Sequence, residues 1–366
     1  MNVLINRSDA IGDTLLTIPM AIEIKRNFPD AKIIFLVSPR CQDLLLGAHF
    51  IDEVKVIDFQ KGNFRNFWIL KKIFREFQIN TYFYVGGRHL PSVVAKLLRV
   101  PFRGGLVSRW PSFLLLNRGL RQKRSLVEMH EVEYNLDLLS PLGFKVNYDF
   151  RAITAPLLKI SQMEKEMALK LIEDRCREEK IIFQKNWIVV HPGMSGHTLN
   201  WSAKNYARYI LKLEKRLPNQ YLYIVSYTPA DQKYLNLFQD EFNKPEYLGV
   251  RNKTFFYNGQ KEGLRTTLSL FSHASLLVAP STGPTHMANA IGTNVVAIFS
   301  PIKIQSTARW GPAYNLKNKV RAVVPDVICG EALKCAGESC NYFECMHKIE
   351  VEEIIQKSLE LLGPSH

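Results

Sequence analysis

The stretch from Leu276 to Phe299, LLVAPSTGPTHMANAIGTNVVAIF, decides the fold. It reads as an apolar strand that ends at Ala279, a Ser-Thr-Gly turn, a helix and a second apolar strand from Val295. Pro284 suits the first turn of that helix, and Gly292 suits its end. A strand, a helix and a further strand at this spacing are typical of a parallel sheet covered by helices.

The same alternation extends along the chain on both sides of this unit. At the start, Val3–Ile5 forms an apolar run, a polar turn follows, and Leu15 to Ile24 gives one apolar helical face. Further strands are predicted at Lys32–Val37, Val54–Ile57, Thr81–Val85, Trp187–His191 and Tyr221–Ser226, and further helices at Phe67–Phe77, Tyr206–Leu217, Asp231–Phe242 and Val351–Leu362.

The length of 366 residues indicates two domains, because a single core rarely grows beyond about 250–300 residues. We predict an N-terminal domain of residues 1–160, a linker with a helix at 161–185, a C-terminal domain of 186–350 and a terminal helix at 351–366. Ser161 and Glu164 have the spacing of a capping box at the start of the linker helix. The predicted fold class is α/β, with two doubly wound, Rossmann-like domains and a ligand cleft between them.

The positive charge is concentrated in one segment. The chain carries a formal net charge of +14. Residues 61–127 contain fourteen lysines and arginines but a single acid, Glu76, so they hold +13 of that charge. Such a field attracts partners that carry phosphate, and nucleic acid, anionic lipid and phosphorylated glycolipid all do so.

Three loops follow apolar strands and could carry chemistry. In the first, DAIGD (9–13), Gly12 permits a tight turn, and Asp13 is either an N-cap aspartate or a general base. The second loop, HPGMSGHTLNW (191–201), either binds phosphate oxygens through backbone N–H groups or is a surface loop over Trp201.

The third loop, STGPTH (281–286), opens a helix whose free N–H groups and positive dipole end suit a diphosphate. His286 lies one turn into this helix and is either structural or in contact with the same ligand. A fourth strand and turn, from Tyr223 to Asp231, either lines a nucleotide base or only connects two elements.

In this order, the motifs resemble glycosyltransferase family 9, the family of ADP-heptose:lipopolysaccharide heptosyltransferases. The resemblance covers nearly the whole chain. Its matching stretches are DAIGDTLLTIP (9–19), the HPG loop up to Asn200 and Trp201, STGPTH (281–286) with the helix that follows, NVVAIFSP (294–301) and the Cys-Met pair (345–346) before the last helix.

The resemblance implies a GT-B fold, with the acceptor on the N-terminal domain and the sugar nucleotide on the C-terminal domain. It implies an inverting, metal-independent transfer that needs no cofactor besides a nucleotide-sugar co-substrate, with ADP-heptose favoured. Asp13 matches the catalytic base of the family. The residues expected to bind the donor are Gly12, Met194, Ser195, Gly196, His197, Ser281, Thr282, Gly283 and His286.

Two positions depart from the family pattern on the donor side. Many heptosyltransferases have a lysine where this chain has Leu199, and an acidic residue where it has Ser281. His197 is the nearest alternative cation. The nucleotide and the sugar therefore stay open, and so do a sugar-nucleotide epimerase or hydrolase of the same fold and a glycolipid-binding protein without catalysis.

Arginines and lysines alternate with aromatic and aliphatic residues from Arg99 to Leu126. The segment is either an ordinary basic face with a core helix or, as we favour, a surface that meets the membrane and the acceptor. The residues predicted to form this surface are Arg88, Arg103, Arg109, Trp110, Arg118, Arg121, Lys123 and Arg124.

The expected partners are a nucleotide sugar, a phosphorylated glycolipid acceptor and the inner-membrane surface. Nucleic acid is disfavoured because no nucleic-acid-binding motif accompanies the charge. No apolar run of about 18 residues and no typical signal peptide is found, so we expect a cytoplasmic protein peripheral to the inner face of the bacterial inner membrane.

Four of the six cysteines, Cys329, Cys335, Cys340 and Cys345, cluster near the C-terminus. Structural zinc sites usually contain a Cys-x2-Cys pair, which is missing here. We predict no metal and reduced cysteines that pack a loop, with zinc at these four residues as the alternative.

Overall fold

The computed structural model describes residues 1–108, 110–154, 156–194, 199–314, 319–329 and 333–363. Its contacts divide the chain into two compact units. The first contains residues 1–153 and 157–159, and the second contains residues 154–156 and 160–366. Three residues predicted to bind the donor, Ser195, Gly196 and His197, and the predicted surface residue Arg109 lie outside the described residues.

The first unit is built on a six-stranded parallel sheet in the order β3-β2-β1-β4-β5-β6. Its strands are β1 (Asn2–Arg7), β2 (Lys32–Val37), β3 (Glu53–Val56), β4 (Thr81–Gly86), β5 (Phe102–Leu106) and β6 (Arg118–Leu120). Its helices are α1 (Ile11–Leu15), α2 (Ile18–Asn27), α3 (Asn63–Glu76), α4 (Leu90–Leu97), α5 (Ser112–Leu115) and α6 (Glu131–Asp137).

The second unit repeats this plan with the order β12-β11-β10-β7-β8-β9, again parallel throughout. Its strands are β7 (Trp187–Val190), β8 (Leu222–Tyr227), β9 (Thr254–Asn258), β10 (Ala274–Pro280), β11 (Val295–Ile298) and β12 (Val320–Val323). Its helices are α7 (Gln162–Glu178), α8 (Ala203–Arg216), α9 (Gln232–Phe242), α10 (Leu248–Arg251), α11 (Gly259–Glu262), α12 (Leu264–His273), α13 (Gly283–Ile291), α14 (Thr307–Trp310) and α15 (Val351–Leu362).

Counted from its own first strand, each sheet has the order 3-2-1-4-5-6, which is the doubly wound Rossmann order. The predicted α/β fold class is therefore confirmed. The strand order reverses between β1 and β4 in the first unit and between β7 and β10 in the second. Ligands of such sheets bind at the carboxyl ends of the strands beside this reversal.

Apolar strands buried on both faces hold each sheet in place. Leu4, Ile34 and Tyr82 lie at or below 1% exposure in the first unit, where Phe74 of α3 packs in the same cluster. Near-continuous apolar strands of this kind are expected where helices cover both faces of a parallel sheet.

Two contacts tie distant segments of the second unit together. The indole nitrogen of Trp201 donates a hydrogen bond to the Ile349 carbonyl (2.9 Å), which fixes the end of the HPG loop against the chain before α15. Arg265 of α12 pairs with Glu164 of α7 (2.7 Å). No helix within the described ranges is long and apolar enough to cross a membrane.

Candidate active site

Asp13 lies in the first turn of α1, just beyond the carboxyl end of β1. The N-cap of α1 is Ala10, so the alternative of Asp13 as an N-cap aspartate is wrong. The Asp13 side chain is 21% exposed and forms an ion pair with Arg7. Gly12 belongs to the helix, where its carbonyl accepts a hydrogen bond from the Leu16 N–H, and not to a tight turn before it.

A buried charged cluster surrounds Asp13, and the sequence had not indicated it. Arg7 ends β1 with its side chain 5% exposed, and its Nε lies 2.9 Å from Asp9 Oδ1. One of its terminal nitrogens pairs with Asp13, and the same nitrogen lies 3.8 Å from Oε1 of Glu131, which is 1% exposed. Arg124 also pairs with Glu131 (2.5 Å).

Burial and the neighbouring charge of Asp13 raise the pKa of Asp9, although Arg7 partly opposes this shift. Both carboxyl groups form an ion pair with Arg7, and their side chains are partly exposed, at 36% for Asp9 and 21% for Asp13. A partly exposed carboxylate beyond a strand end, held by a buried cation, can accept a proton from a bound hydroxyl group.

In the second unit, the turn after β10 leads into α13. Thr282 is the N-cap but makes no side-chain capping hydrogen bond, because its Oγ1 donates to the Pro280 carbonyl (3.3 Å). Ser281, Thr282 and Gly283 are partly exposed, whereas His286 is 6% exposed. The first turn of this nine-residue helix can thus present backbone N–H groups and the positive dipole end to an anion.

The HPG loop is fixed beside this turn. The His191 N–H donates to the Val278 carbonyl (2.9 Å), which ties the end of β7 to β10. The imidazole Nδ1 lies 3.0 Å from Ser226 Oγ, and Nε2 lies 3.8 Å from Asp231 Oδ2. Burial lowers the pKa of His191, against the opposing charge of Asp231, so the ring favours its neutral form.

The predicted connection from Tyr223 to Asp231 thus packs against the HPG loop. Asp231 accepts hydrogen bonds from the Thr228 N–H (2.8 Å) and Oγ1 (2.7 Å). A Cβ added at Gly193 would lie 2.4 Å from Asp231 Cγ. Met194, a predicted donor contact, has its side chain buried at 2% exposure. Leu199 packs on the core that contains Trp201.

The predicted basic surface separates into two groups. Trp110 is 72% exposed and contacts Phe113, with ring centroids 5.2 Å apart and the two ring planes tilted by 57°. Arg103 is half-buried and donates to the carbonyls of Leu115 and Val100. Arg124 is only 11% exposed in its ion pair with Glu131. The exposed cations of the predicted set are Arg88, Arg118, Arg121 and Lys123.

The four C-terminal cysteines line one cavity of about 290 Å³, together with Leu199 and Asn200. Burial raises the pKa of Cys329 and Cys345, and the other thiols of the cluster add to the shift. Across the described ranges, no group of three or more His, Cys, Asp or Glu residues is arranged to hold a metal.

Comparison with known proteins places these motifs in a family. The model of glycosyltransferase family 9 (heptosyltransferase) matches residues 89–327. A Haemophilus influenzae protein assigned provisionally as a glycosyltransferase is 24% identical over 88% of this chain and 89% of its own length. Lipopolysaccharide heptosyltransferase 3 of Escherichia coli is 22% identical over 79% of this chain and 80% of its own.

Solved structures share the fold of the whole chain. The ADP-heptose lipopolysaccharide heptosyltransferase II of E. coli superimposes with a TM-score of 0.73 at 17% identity, over 99% of this chain and 98% of its own. A family 9 glycosyltransferase of Veillonella parvula superimposes with a TM-score of 0.76 at 17% identity, over 99% of this chain and 97% of its own. The chain therefore belongs to glycosyltransferase family 9 and is a glycosyltransferase.

Proposed function

We propose that this enzyme transfers a heptose from ADP-heptose to a lipopolysaccharide core acceptor, with inversion at the anomeric carbon and without a metal ion. Two relatives are named as lipopolysaccharide heptosyltransferases. A third E. coli heptosyltransferase of the same fold has been solved with ADP and with ADP-2-deoxy-2-fluoro heptose. The observation that carries the proposal is Asp13, a partly exposed carboxylate in ion-pair contact with Arg7.

In this mechanism, Asp13 is the general base. It takes the proton of an acceptor hydroxyl group while that oxygen forms a bond to the anomeric carbon of the donor sugar. The bond from the anomeric carbon to the phosphate oxygen breaks, and ADP leaves with its electron pair. Attack from the face opposite the leaving group inverts the configuration.

The start of α13 would stabilise the leaving diphosphate. Charge develops on the phosphate oxygens as the bond breaks, and fixed N–H dipoles stabilise such charge without rearrangement. Thr282 and Gly283 occupy this helix start, and His286 lies buried in its first turn. Backbone N–H groups at a helix start can fulfil the role that a divalent cation has in other transferases.

A membrane-docking surface on the first unit would bring the enzyme to its acceptor at the inner face of the inner membrane. We define this docking surface as Leu97, Trp110, Phe113 and Leu114 with the exposed cations Lys96, Arg118, Arg121 and Lys123. The apolar members are 63%, 72%, 53% and 51% exposed. Lys96 donates to the Leu114 carbonyl (2.8 Å), which joins α4 to α5.

Exposed aromatic and aliphatic groups beside cations match an anionic lipid interface, because the apolar groups enter it while the cations meet lipid phosphates. Arg103 and Arg124 are left out of the docking surface, since their guanidinium groups are engaged with backbone carbonyls and with Glu131.

The test is a transfer assay with purified protein and core lipopolysaccharide acceptors that lack heptose. ADP-heptose and the UDP-, GDP- and CDP-activated sugars are compared, and products are identified by mass spectrometry and anomeric NMR. We expect transfer from ADP-heptose alone, with inversion and with full activity in EDTA. Asp13→Asn should bind ADP normally and lose at least about 100-fold in kcat.

The matched control is Asp30→Asn, which changes an exposed aspartate in the same unit and should leave kcat unchanged. Transfer from another nucleotide sugar would overturn the choice of donor. Loss of activity in EDTA that Mg²⁺ restores would overturn the metal-free mechanism. Near-full activity of Asp13→Asn would overturn the assignment of the base.

A further inference from the structure

The guanidinium group of Arg7 contacts four oxygen-bearing groups from three parts of the first unit. Its Nε lies 2.9 Å from Asp9, and one terminal nitrogen donates to the Val85 carbonyl in β4 (3.1 Å). The other terminal nitrogen pairs with Asp13 and faces Glu131 at the start of α6. The N–H donors of a guanidinium group lie in one plane in a fixed fork-shaped arrangement. Such a group therefore fixes the orientation of the carboxylates that it binds as well as supplying a positive charge.

The backbone of the sheet is shaped to aim Arg7 at this position. The strand register between β1 and β4 shifts between Asn6 and Arg7. After this shift, Arg7 lies opposite Gly86 in the parallel pairing of the two strands. Irregularities of this type redirect side chains near functional sites. A Cβ at Gly86 would lie 2.7 Å from Asp9 Oδ2 and 3.0 Å from Arg7 Cζ, so the glycine leaves the space that the Arg7–Asp9 pair occupies.

Further charged groups face this site from neighbouring elements of the first unit. Glu131 of α6 faces Arg7, and it also forms an ion pair with Arg124. The turn at residues 39–41, which packs against α1, brings the exposed Arg40 and the buried Cys41 near Asp9. Two buried guanidinium groups thus face three carboxyl groups, of which Asp9 and Asp13 reach the surface.

We infer that Arg7 is a positioning residue for Asp13 and that Asp9 competes for the same guanidinium group. This inference rests on the proposed function, in which Asp13 is the general base. Arg7 orients the Asp13 carboxylate toward the acceptor. Asp9 draws on the same charge and weakens that effect.

The sign of each change follows from these charges. A nearby cation favours an ionised carboxylate, and a nearby anion disfavours it. Removal of the Arg7 charge therefore moves the acid limb of the pH profile of kcat/KM to higher pH. Removal of the Asp9 charge moves the same limb to lower pH. If Arg7 and Asp9 only supported the fold, their replacement would not shift the acid limb in opposite directions.

The experiment measures kcat, the KM for ADP-heptose and the pH profile of kcat/KM for Arg7→Lys, Arg7→Gln and Asp9→Asn. Arg7→Lys keeps the charge but loses the fork, so kcat should fall about 100-fold while the acid limb stays within a few tenths of a pH unit. Arg7→Gln should lower kcat by a similar factor and shift the acid limb of the pH profile to higher pH by about one unit. Asp9→Asn should shift the acid limb downward.

Lys253→Gln is the matched control, because Lys253 also pairs with a buried carboxylate, Glu214 (2.6 Å), in the second unit. It should lower thermal stability without moving the pH profile. If Arg7→Gln fails to fold, Arg7→Lys and Asp9→Asn still decide the question. An unmoved acid limb in Asp9→Asn, or normal kcat in Arg7→Lys, overturns the inference.

The two failures are distinguishable. If the wild-type protein transfers no sugar, or if Asp13→Asn stays active, the proposed function fails. If the wild type is active and Asp13→Asn is not, but the Arg7 and Asp9 variants behave as the wild type, only the inference about Arg7 and Asp9 fails.

Discussion

Gly193 leaves no room for a side chain beside Asp231. A Cβ there would lie 2.4 to 2.5 Å from three atoms of the Asp231 side chain. Two hydrogen bonds to Thr228 hold that carboxylate, so it cannot move without losing them. Gly193→Ala should therefore lower the free energy of unfolding by about 1–3 kcal/mol, the usual cost of overpacking, and weaken ADP binding by displacing the HPG loop.

Calorimetric titration with ADP and thermal denaturation measure the two effects. Gly249→Ala is the control, because a Cβ at Gly249, in α10, meets nothing within 4 Å. That variant should keep its affinity for ADP and its stability, or gain up to about 1 kcal/mol. Equal behaviour of the two variants would contradict the role assigned to the Gly193 contact.

At the residue scale, the sequence singles out the candidate site residues that belong to local motifs. Asp13 stood out because it follows a strand and a glycine. Arg7 did not, because a single arginine after an apolar strand has many ordinary explanations, and its partner Glu131 is 124 residues away. The one available signal was the charge itself, which lies at the end of a strand whose residues from Val3 to Arg7 are buried.

The start of α7 gives a prediction at the scale of one element. Ser161 and Glu164 form the expected capping box, and Arg265 of α12 binds the same carboxylate (2.7 Å). The hydrogen bond from Arg265 is the largest of several contacts that together lower the pKa of Glu164 to about 2. The stabilisation is thus present above the ordinary pKa of 4.5 and is lost as the pH falls toward about 2.

Glu164→Gln should therefore lower the free energy of unfolding by about 1 kcal/mol at pH 7, with a smaller difference from the wild type as the pH falls below about 4.5. Denaturant unfolding at several pH values measures this. Glu166→Gln is the control on the same helix, since Glu166 is exposed and bonds only to Gln162 among the contacts described for it. A pH-independent loss in Glu164→Gln would contradict the assigned pKa.

The elements that periodicity predicted are those with strong apolar patterns. Lys32–Val37 and Val351–Leu362 have the predicted bounds. The single helical face predicted from Leu15 to Ile24 is divided between α1 and α2, and the other predicted elements are shifted by only a few residues. The strands β5 and β6 were missed within the basic segment, where a core helix had been considered. Gly104 and Gly105 weaken the strand pattern of β5, and they are there because the ring of Phe83 and the backbone of Tyr84 occupy the space of a side chain.

At the scale of the whole molecule, the distribution of charge supports the proposed docking surface. The segment that carries +13 lies wholly within the first unit, and the remaining residues add only +1 to the total of +14. The exposed apolar groups of the docking surface are in the same segment. We therefore expect binding to vesicles that contain phosphatidylglycerol, weak binding to phosphatidylcholine vesicles, and a loss of affinity as salt screens the charges.

Two sets of variants separate the charged and apolar contributions in vesicle co-sedimentation. Replacement of Arg118, Arg121 and Lys123 by Gln removes about 1 kcal/mol of attraction per cation, so binding should weaken by roughly 100-fold. Replacement of Trp110 and Phe113 by Ser should weaken binding even at low salt, because the apolar groups no longer enter the interface. Leu237→Ser, which changes a residue 51% exposed on the second unit, is the control. If that control loses as much affinity as Trp110 and Phe113 together, the docking surface lies elsewhere.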